Sequence, residues 1–252
     1  MNIQLKKKYA IVTGVSGGIG SAIAKRLEES NVKILGIDDN KPKDLSFLYD
    51  FYKVDLQEIV LNTDARNNFF NYVTNWLGND KLDLLVNNAA VQCLGNVKDL
   101  DLEIWNKTLN VNLLAPFFLI QGLLDQLINS KGCVINISSI HARATKSNFV
   151  AYATSKAAIS GMNRALSVEL GSQVSFYCIE PAAVLTDMLK AGFINKPEKL
   201  NDLAECHPSG EISTPDQLAE FIYFLFDKRL SSLQGTAIEF GGGISGRLHD
   251  PA

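Results

Sequence analysis

The chain of 252 residues predicts an α/β fold: one domain over residues 1–252, built on a doubly wound parallel sheet of about seven strands in three layers. Three observations carry this expectation. Short apolar runs recur along the chain, at 9–12, 32–37, 51–54, 82–86, 133–137, 174–179 and 237–240. Longer segments with helical spacing separate them. No internal repeat, low-complexity tract or Pro/Ser-rich linker interrupts the alternation. Near-continuous apolar strands such as Cys133-Val134-Ile135-Asn136-Ile137 suit a parallel sheet covered by helices on both faces.

The elements follow in order. The first run, Tyr9-Ala10-Ile11-Val12, leads into Thr13-Gly14-Val15-Ser16-Gly17-Gly18-Ile19-Gly20, and a helix is expected over 19–29. The second strand, 32–37, ends at Asp38, and the short third, 51–54, is followed by Asp55 and Leu56. Before the fourth strand, Phe69, Phe70, Val73, Trp76 and Leu77 recur at helical spacing and mark a core-facing helix. Two major helices are expected over 112–127 and 151–170. Between the last two strands, residues 187–213 mix apolar and charged side chains with Gly192, Pro197, Pro208 and Gly210. Ligands of open α/β sheets bind outside the carboxyl ends of the strands. A long insertion there reads as a substrate lid, or else as a surface loop with two short helices. The whole pattern is Rossmann-type.

Bulk properties narrow the function. A formal net charge of -3 gives no reason to expect nucleic acid or an anionic membrane as partner. No apolar run reaches spanning length, and the N-terminus lacks a signal-peptide core. The four cysteines, Cys93, Cys133, Cys178 and Cys206, form no C-x-x-C pair, so neither a metal site nor a redox motif is expected, and the cytoplasm is the expected home.

The chemistry sits in two places. A glycine-rich loop that follows a strand and opens a helix lets the backbone approach a pyrophosphate at the helix N-terminus. Asp38, twenty residues after Gly18 and followed by Asp39 rather than Arg, would accept hydrogen bonds from ribose hydroxyls and repel a 2′-phosphate, which favours NAD over NADP. Tyr152 and Lys156 are four apart and share a helix face. A protonated lysine there would lower the phenol pKa and make Tyr152 a general acid or base. Ser139 lies thirteen residues upstream.

With both motifs in place the chain resembles the short-chain dehydrogenase/reductase family, in its compact single-domain branch, from Lys8 to about Gly246. The motifs stand in family order. They are Thr13 to Gly20, Asp55-Leu56, Asn87-Asn88-Ala89-Ala90, Asn110-Val111-Asn112-Leu113, Ile137-Ser138-Ser139, Tyr152 with Lys156, Pro181 to Thr186, and Gly241-Gly242-Gly243. The resemblance implies an oxidoreductase moving a hydride between NAD(H) and a secondary alcohol or ketone, with Asn112, Ser139, Tyr152 and Lys156 catalytic. Gly14, Ser16, Gly17, Gly18, Ile19 and Gly20 would hold the pyrophosphate side of the cofactor. Asp55 and Leu56 would meet the adenine, and Asn88, Ala89 and Ala90 the ribose. Pro181, Val184 and Thr186 would hold the carboxamide end, and Lys156 the nicotinamide ribose. Ser139 would stabilise the substrate oxygen, and Asn112 would place a water that extends the proton relay.

Two departures from the family pattern are visible, Ala90 and Ala182 where glycine is usual. The second loses freedom at positive φ. Substrate contacts are expected from Ser139, Tyr152, His141 and Met188, with Leu189 and Phe193 completing an apolar underside of the lid. Arg143, Lys146 and His207 are either ligands for an anionic or sugar-derived substrate or solvated loop residues. A sugar-nucleotide epimerase or dehydratase and a non-catalytic NAD sensor are the alternative functions. The resemblance also implies a homotetramer or homodimer, with helices at about 102–129 and 151–170 pairing across a dimer axis and residues 241–252 at a second interface. The apolar run 113–120 exceeds one buried helix face, although a doubly covered core would also absorb it.

Overall fold

The computed structural model describes residues 7–194 and 196–248. The apolar runs form β1 (Lys8–Thr13), β2 (Val32–Asp38), β3 (Asp50–Lys53), β4 (Leu84–Asn87), β5 (Cys133–Ile137), β6 (Ser175–Pro181) and β7 (Ala237–Phe240). All pair in parallel, in the order β3-β2-β1-β4-β5-β6-β7. The winding reverses between β1 and β4. Thr13 sits opposite Ile37, and Val12 sits opposite Val86, so the ends of β1, β2 and β4 reach one rim. This crevice is where such sheets bind ligands.

The intervening segments form α1 (Gly18–Glu28), α2 (Leu56–Leu61), α3 (Thr63–Leu77), α4 (Leu102–Leu109), α5 (Ala115–Gly122), α6 (Leu124–Ser130), α7 (Val150–Leu170), α8 (Asp187–Ala191), α9 (Pro197–Glu205) and α10 (Pro215–Lys228). Side chains of β1 alternate between two cores, as strand geometry requires. Ala10 and Val12 join Ile23 and Leu27 of α1 and Leu218, Ile222 and Phe226 of α10. Tyr9 and Ile11 join Phe69 and Val73 of α3 and Leu119 and Ile120 of α5. A fully buried aliphatic or aromatic side chain contributes about 1.5–3 kcal/mol, so these two layers anchor the strands whose ends form the rim.

The expected helix over 112–127 is not a single regular helix. Residues Asn110–Leu114 form a π-helical turn, and the axis bends by 61° where α6 begins after Leu123. Pro116 has no N–H for the carbonyl of Asn112, four residues earlier, which disfavours α-helical bonding at that point. Next to the bend, a β-carbon on Gly122 would fall 2.1 Å from the Phe70 ring. An unbroken apolar run has no polar face, so its periodicity concealed the kink. Ala115, Leu119 and Ile120 are buried in the core, whereas Leu114 is 37% exposed.

Candidate active site

The glycine-rich loop, the candidate dinucleotide cradle, is built around Thr13 at the end of β1. The Thr13 hydroxyl accepts hydrogen bonds from the backbone N–H groups of Asn88 and Ala89, both at 3.0 Å. The Asn88 amide donates to the Thr13 carbonyl at 2.9 Å and to that of Gly14 at 3.3 Å. The loop after β4 is thereby stitched to the glycine loop. Thr13 was not among the expected site residues; a hydroxyl at the last position of a buried apolar strand was the available signal.

Gly20 packs so closely on the loop that a β-carbon there would fall 2.0 Å from the Gly14 carbonyl oxygen. Gly17 caps α1 without any side-chain hydrogen bond, which leaves the first amides of the helix to a ligand. That uncapped helix start fits a pyrophosphate. Asp38 closes the far side. Its carboxylate accepts from Ser16 N at 2.9 Å and Asn40 N at 3.0 Å. Burial raises its pKa, and the two backbone donors oppose the rise. Asp55 caps α2 by accepting from Gln57 N at 2.9 Å, with Leu56 buried beside it.

The reacting cluster joins the end of β5 to α7. Lys156 is buried, and its ammonium donates to the Ile137 carbonyl at 2.8 Å and lies 5.6 Å from the centre of the Tyr152 ring. Burial pulls Lys156 down to about 8. Burial also raises the Tyr152 phenol, with only the Ser139 hydroxyl opposing. This corrects the expectation that Lys156 would hold the phenol below its ordinary value: desolvation outweighs an ammonium that is itself turned to a carbonyl.

Asn112 lies in the π turn and is buried. Its side-chain oxygen accepts from Val91 N at 2.8 Å, and its amide donates to Val91 O at 2.9 Å and Ser155 Oγ at 3.0 Å. Ser155 in turn donates to the Tyr152 carbonyl at 2.7 Å. The kink therefore ties the loop after β4 to the first turn of α7.

The candidate substrate residues separate. The His141 ring stacks on Phe149 at 4.2 Å and meets the Tyr152 ring edge-on at 5.8 Å. Burial, then Lys146, lowers its pKa. Lys146 stands 4.9 Å over Phe149 and, with Asn96, Asp99 and Asn148, lines a cavity of about 490 Å³. Arg143 is committed elsewhere, to Glu180 at 2.5 Å, Glu239 at 3.0 Å and the Ala237 carbonyl at 2.9 Å. His207 is buried and held by the Leu203 carbonyl at 2.8 Å, inside the base of the lid. Neither Arg143 nor His207 belongs to the wall that runs from Tyr152 through His141 and Phe149 to Lys146.

Beyond β6, Pro181 and Val184 are buried, and Thr186 caps α8 by accepting from Leu189 N at 3.2 Å. Thr186 and Gly18 share a cavity of about 270 Å³ between α1 and α8. Ala182 does not adopt positive φ, so the methyl costs no backbone strain; it packs against Gly241.

The segment expected to form a lid contains α8, α9 and the chain to Ser213, and its later part is tied down. Leu185 N donates to Ser213 O at 2.8 Å, Ser209 N donates to Gly242 O at 3.1 Å, and Ile212 is buried. Gly210 therefore sits in an anchored segment and not at a free hinge. Met188, expected to contact the substrate, is 83% exposed.

A family model described as short chain dehydrogenase matches residues 8–196. The chain is 32% identical over 255 residues to the short-chain dehydrogenase/reductase FrzI of Cladobotryum sp, covering 95% of this chain and 96% of that one. It is 29% identical over 252 residues to the 3-oxoacyl-[acyl-carrier-protein] reductase FabG of Aquifex aeolicus, covering 97% and 100%. Among solved structures, the ligand-free aldohexose dehydrogenase of Thermoplasma acidophilum superposes with a TM-score of 0.88 at 25% identity, covering 98% of each chain.

Proposed function

Since the chain belongs to the short-chain dehydrogenase/reductase family, whose members are NAD(P)-dependent oxidoreductases, we propose that it interconverts a secondary alcohol and its ketone with NAD(H). One observation carries this reading: buried Lys156 lies beneath Tyr152, whose phenol meets the Ser139 hydroxyl, at the rim where the uncapped start of α1 opens. The bound nicotinamide supplies or takes up the hydride. Gly14, Ser16, Gly17, Gly18, Ile19 and Gly20 hold its pyrophosphate side, Asp38 the adenosine ribose, and Asp55 and Leu56 the adenine. Asn88, Ala89 and Ala90 line the loop against the ribose, and Pro181, Val184 and Thr186 hold the carboxamide end. Asp38 sets the preference for NAD, because a phosphate beside a half-buried carboxylate is repelled.

Tyr152 gives the proton to, or takes it from, the substrate oxygen. The Ser139 hydroxyl donates to that oxygen as negative charge develops on it. Lys156 stabilises the phenolate that follows proton donation. Asn112 orients the first turn of α7 through Ser155. Asn112 would place the water that extends the proton relay from Lys156.

The His141–Phe149 stack is the side wall for the substrate, and Lys146 at its outer end suits an anionic or sugar-derived tail. The lid, with Met188 at its front, closes over this wall. We place the enzyme in the cytoplasm as a homodimer or homotetramer. Among the described residues no single helix is long and apolar enough to cross a membrane.

The test is a screen of secondary alcohols and ketones, neutral and carboxylated, followed by NADH absorbance. Turnover that depends on added NAD(H) supports the reading. Activity that needs no added cofactor would point to an epimerase or dehydratase, and NAD binding without any turnover would point to a sensor.

A further inference from the structure

Glu180, the next-to-last residue of β6, is a carboxylate at 2% exposure. A charge taken out of water is costly unless it is fully paired. Here both oxygens are used. Oε2 accepts from Arg143 Nε at 2.5 Å, and Oε1 accepts from the Ser160 hydroxyl at 2.7 Å. Ser160 lies one helical turn beyond Lys156, on the same face of α7. Ser138, packed beside it, gives its one hydroxyl proton to the Lys156 carbonyl at 2.8 Å, as Ser160 gives its own to Glu180. Lys156 answers by donating from its ammonium to the carbonyl of Ile137, the residue before Ser138. The end of β5 and the middle of α7 are thus clasped in both directions, with Glu180 behind the clasp. Arg143 extends the tie to β7 through Glu239 and the Ala237 carbonyl.

We infer that Glu180, held by Arg143, is a positioning residue: through Ser160 it pins the turn of α7 that follows Lys156 and so sets where the ammonium stands beneath Tyr152. Arg143 then serves catalysis from behind the site and does not bind the substrate. This inference rests on the proposed roles of Tyr152 and Lys156. The titratable groups facing Tyr152 are Lys156 from its own helix and His141 from the loop after β5; Cys178 of β6 stands 3.5 Å from Ser160 and reaches Tyr152 only through the network.

Three variants test it: Ser160→Ala, which cuts the link and keeps the ion pair, Glu180→Gln, and Arg143→Met with Arg143→Lys as the conservative control. Ser160→Ala and Glu180→Gln should lower kcat about tenfold with KM within about twofold, the signature of a misplaced group and not a lost substrate contact. Arg143→Lys should recover most of the loss seen in Arg143→Met. A second readout needs no substrate: tyrosinate absorbance of each protein minus that of its Tyr152→Phe form. The Tyr152 titration should shift when the network is cut, because the ammonium changes its position relative to the phenol. If the screen finds no substrate, this titration decides alone. If Glu180→Gln does not fold, Ser160→Ala decides. Unchanged kcat and unchanged Tyr152 titration with only a lower Tm would make the network structural and overturn the inference. A raised KM for carboxylated substrates at constant kcat in Arg143→Met would also overturn it, by returning Arg143 to substrate binding.

Discussion

Lys156→Met separates what the buried ammonium costs the fold from what it does for the chemistry. Lys156 is 3% exposed, and burial lowers its pKa from 10.5 to about 8. The unfolded chain binds a proton at this position below 10.5, whereas the native protein binds it only below about 8. Between those values the unfolded state holds more protons, so native stability rises with pH. The penalty is fully present below about pH 8 and disappears above about pH 10.5. At about 1.4 kcal/mol per pH unit, the difference amounts to about 3 kcal/mol. Methionine removes that penalty but leaves the Ile137 carbonyl without its donor, a pH-independent cost of about 1–3 kcal/mol. The two nearly cancel at pH 7, so the informative quantity is the change with pH. Urea unfolding of both proteins from pH 7 to 10.5 should show wild type gaining about 3 kcal/mol relative to Lys156→Met. Tyr152, raised by its own burial, titrates above most of this window. A difference that stays constant to within about 0.5 kcal/mol would mean that Lys156 keeps its proton as a solvated lysine does, and the account of the site would fail.

The other predictions address the site and its surroundings. Tyr152→Phe should reduce kcat by about 10²–10⁴ with the NADH dissociation constant nearly unchanged, and activity within about tenfold of wild type would reject Tyr152 as the proton carrier. Asp38→Ala should narrow the preference for NAD over NADP in fluorescence titrations, since it removes an acceptor and a repulsion together; NADP binding as tight as NAD in the wild type would defeat the assignment. In hydrogen exchange, amides of α8 and α9 should slow on adding NAD with a substrate analogue, whereas Ile212 and Ser213, already anchored, should be protected in both states. Equal protection throughout would make the lid fixed scaffold. Light scattering at micromolar concentration should give a dimer or tetramer mass, consistent with the exposure of Val168 at 90% and Leu102 at 74%, and a monomer mass would refute it. Residues 249–252 of the second proposed interface lie outside the described residues.

Local pattern determined most of the architecture. Apolar runs, helical spacing and the strand–glycine–helix order are properties of neighbouring residues. They sufficed to place seven strands, the cradle at Gly14 to Gly20, Asp38 at the end of β2, and Tyr152 with Lys156 on α7. The same patterns gave no account of what charged and polar side chains meet across the sheet. Arg143 read equally well as a substrate ligand until the fold brought it to Glu239, 96 residues away, and to Glu180, 37 residues away. Thr13 became the knot between two loops only because β1 and β4, separated by five elements of chain order, lie side by side. The sign of the Tyr152 shift depended on how deeply the phenol and the ammonium are buried, and burial belongs to the packed layers and not to the four-residue spacing. The bend after Leu123 was hidden because an all-apolar segment packs in more than one register, and contact with Phe70 against Gly122 selected the one adopted. The sequence by itself therefore determined the elements and the placement of the candidate groups on them, through local sterics and periodicity. Only the tertiary structure decided partners, protonation and what can move, because those depend on distances between segments that are remote along the chain.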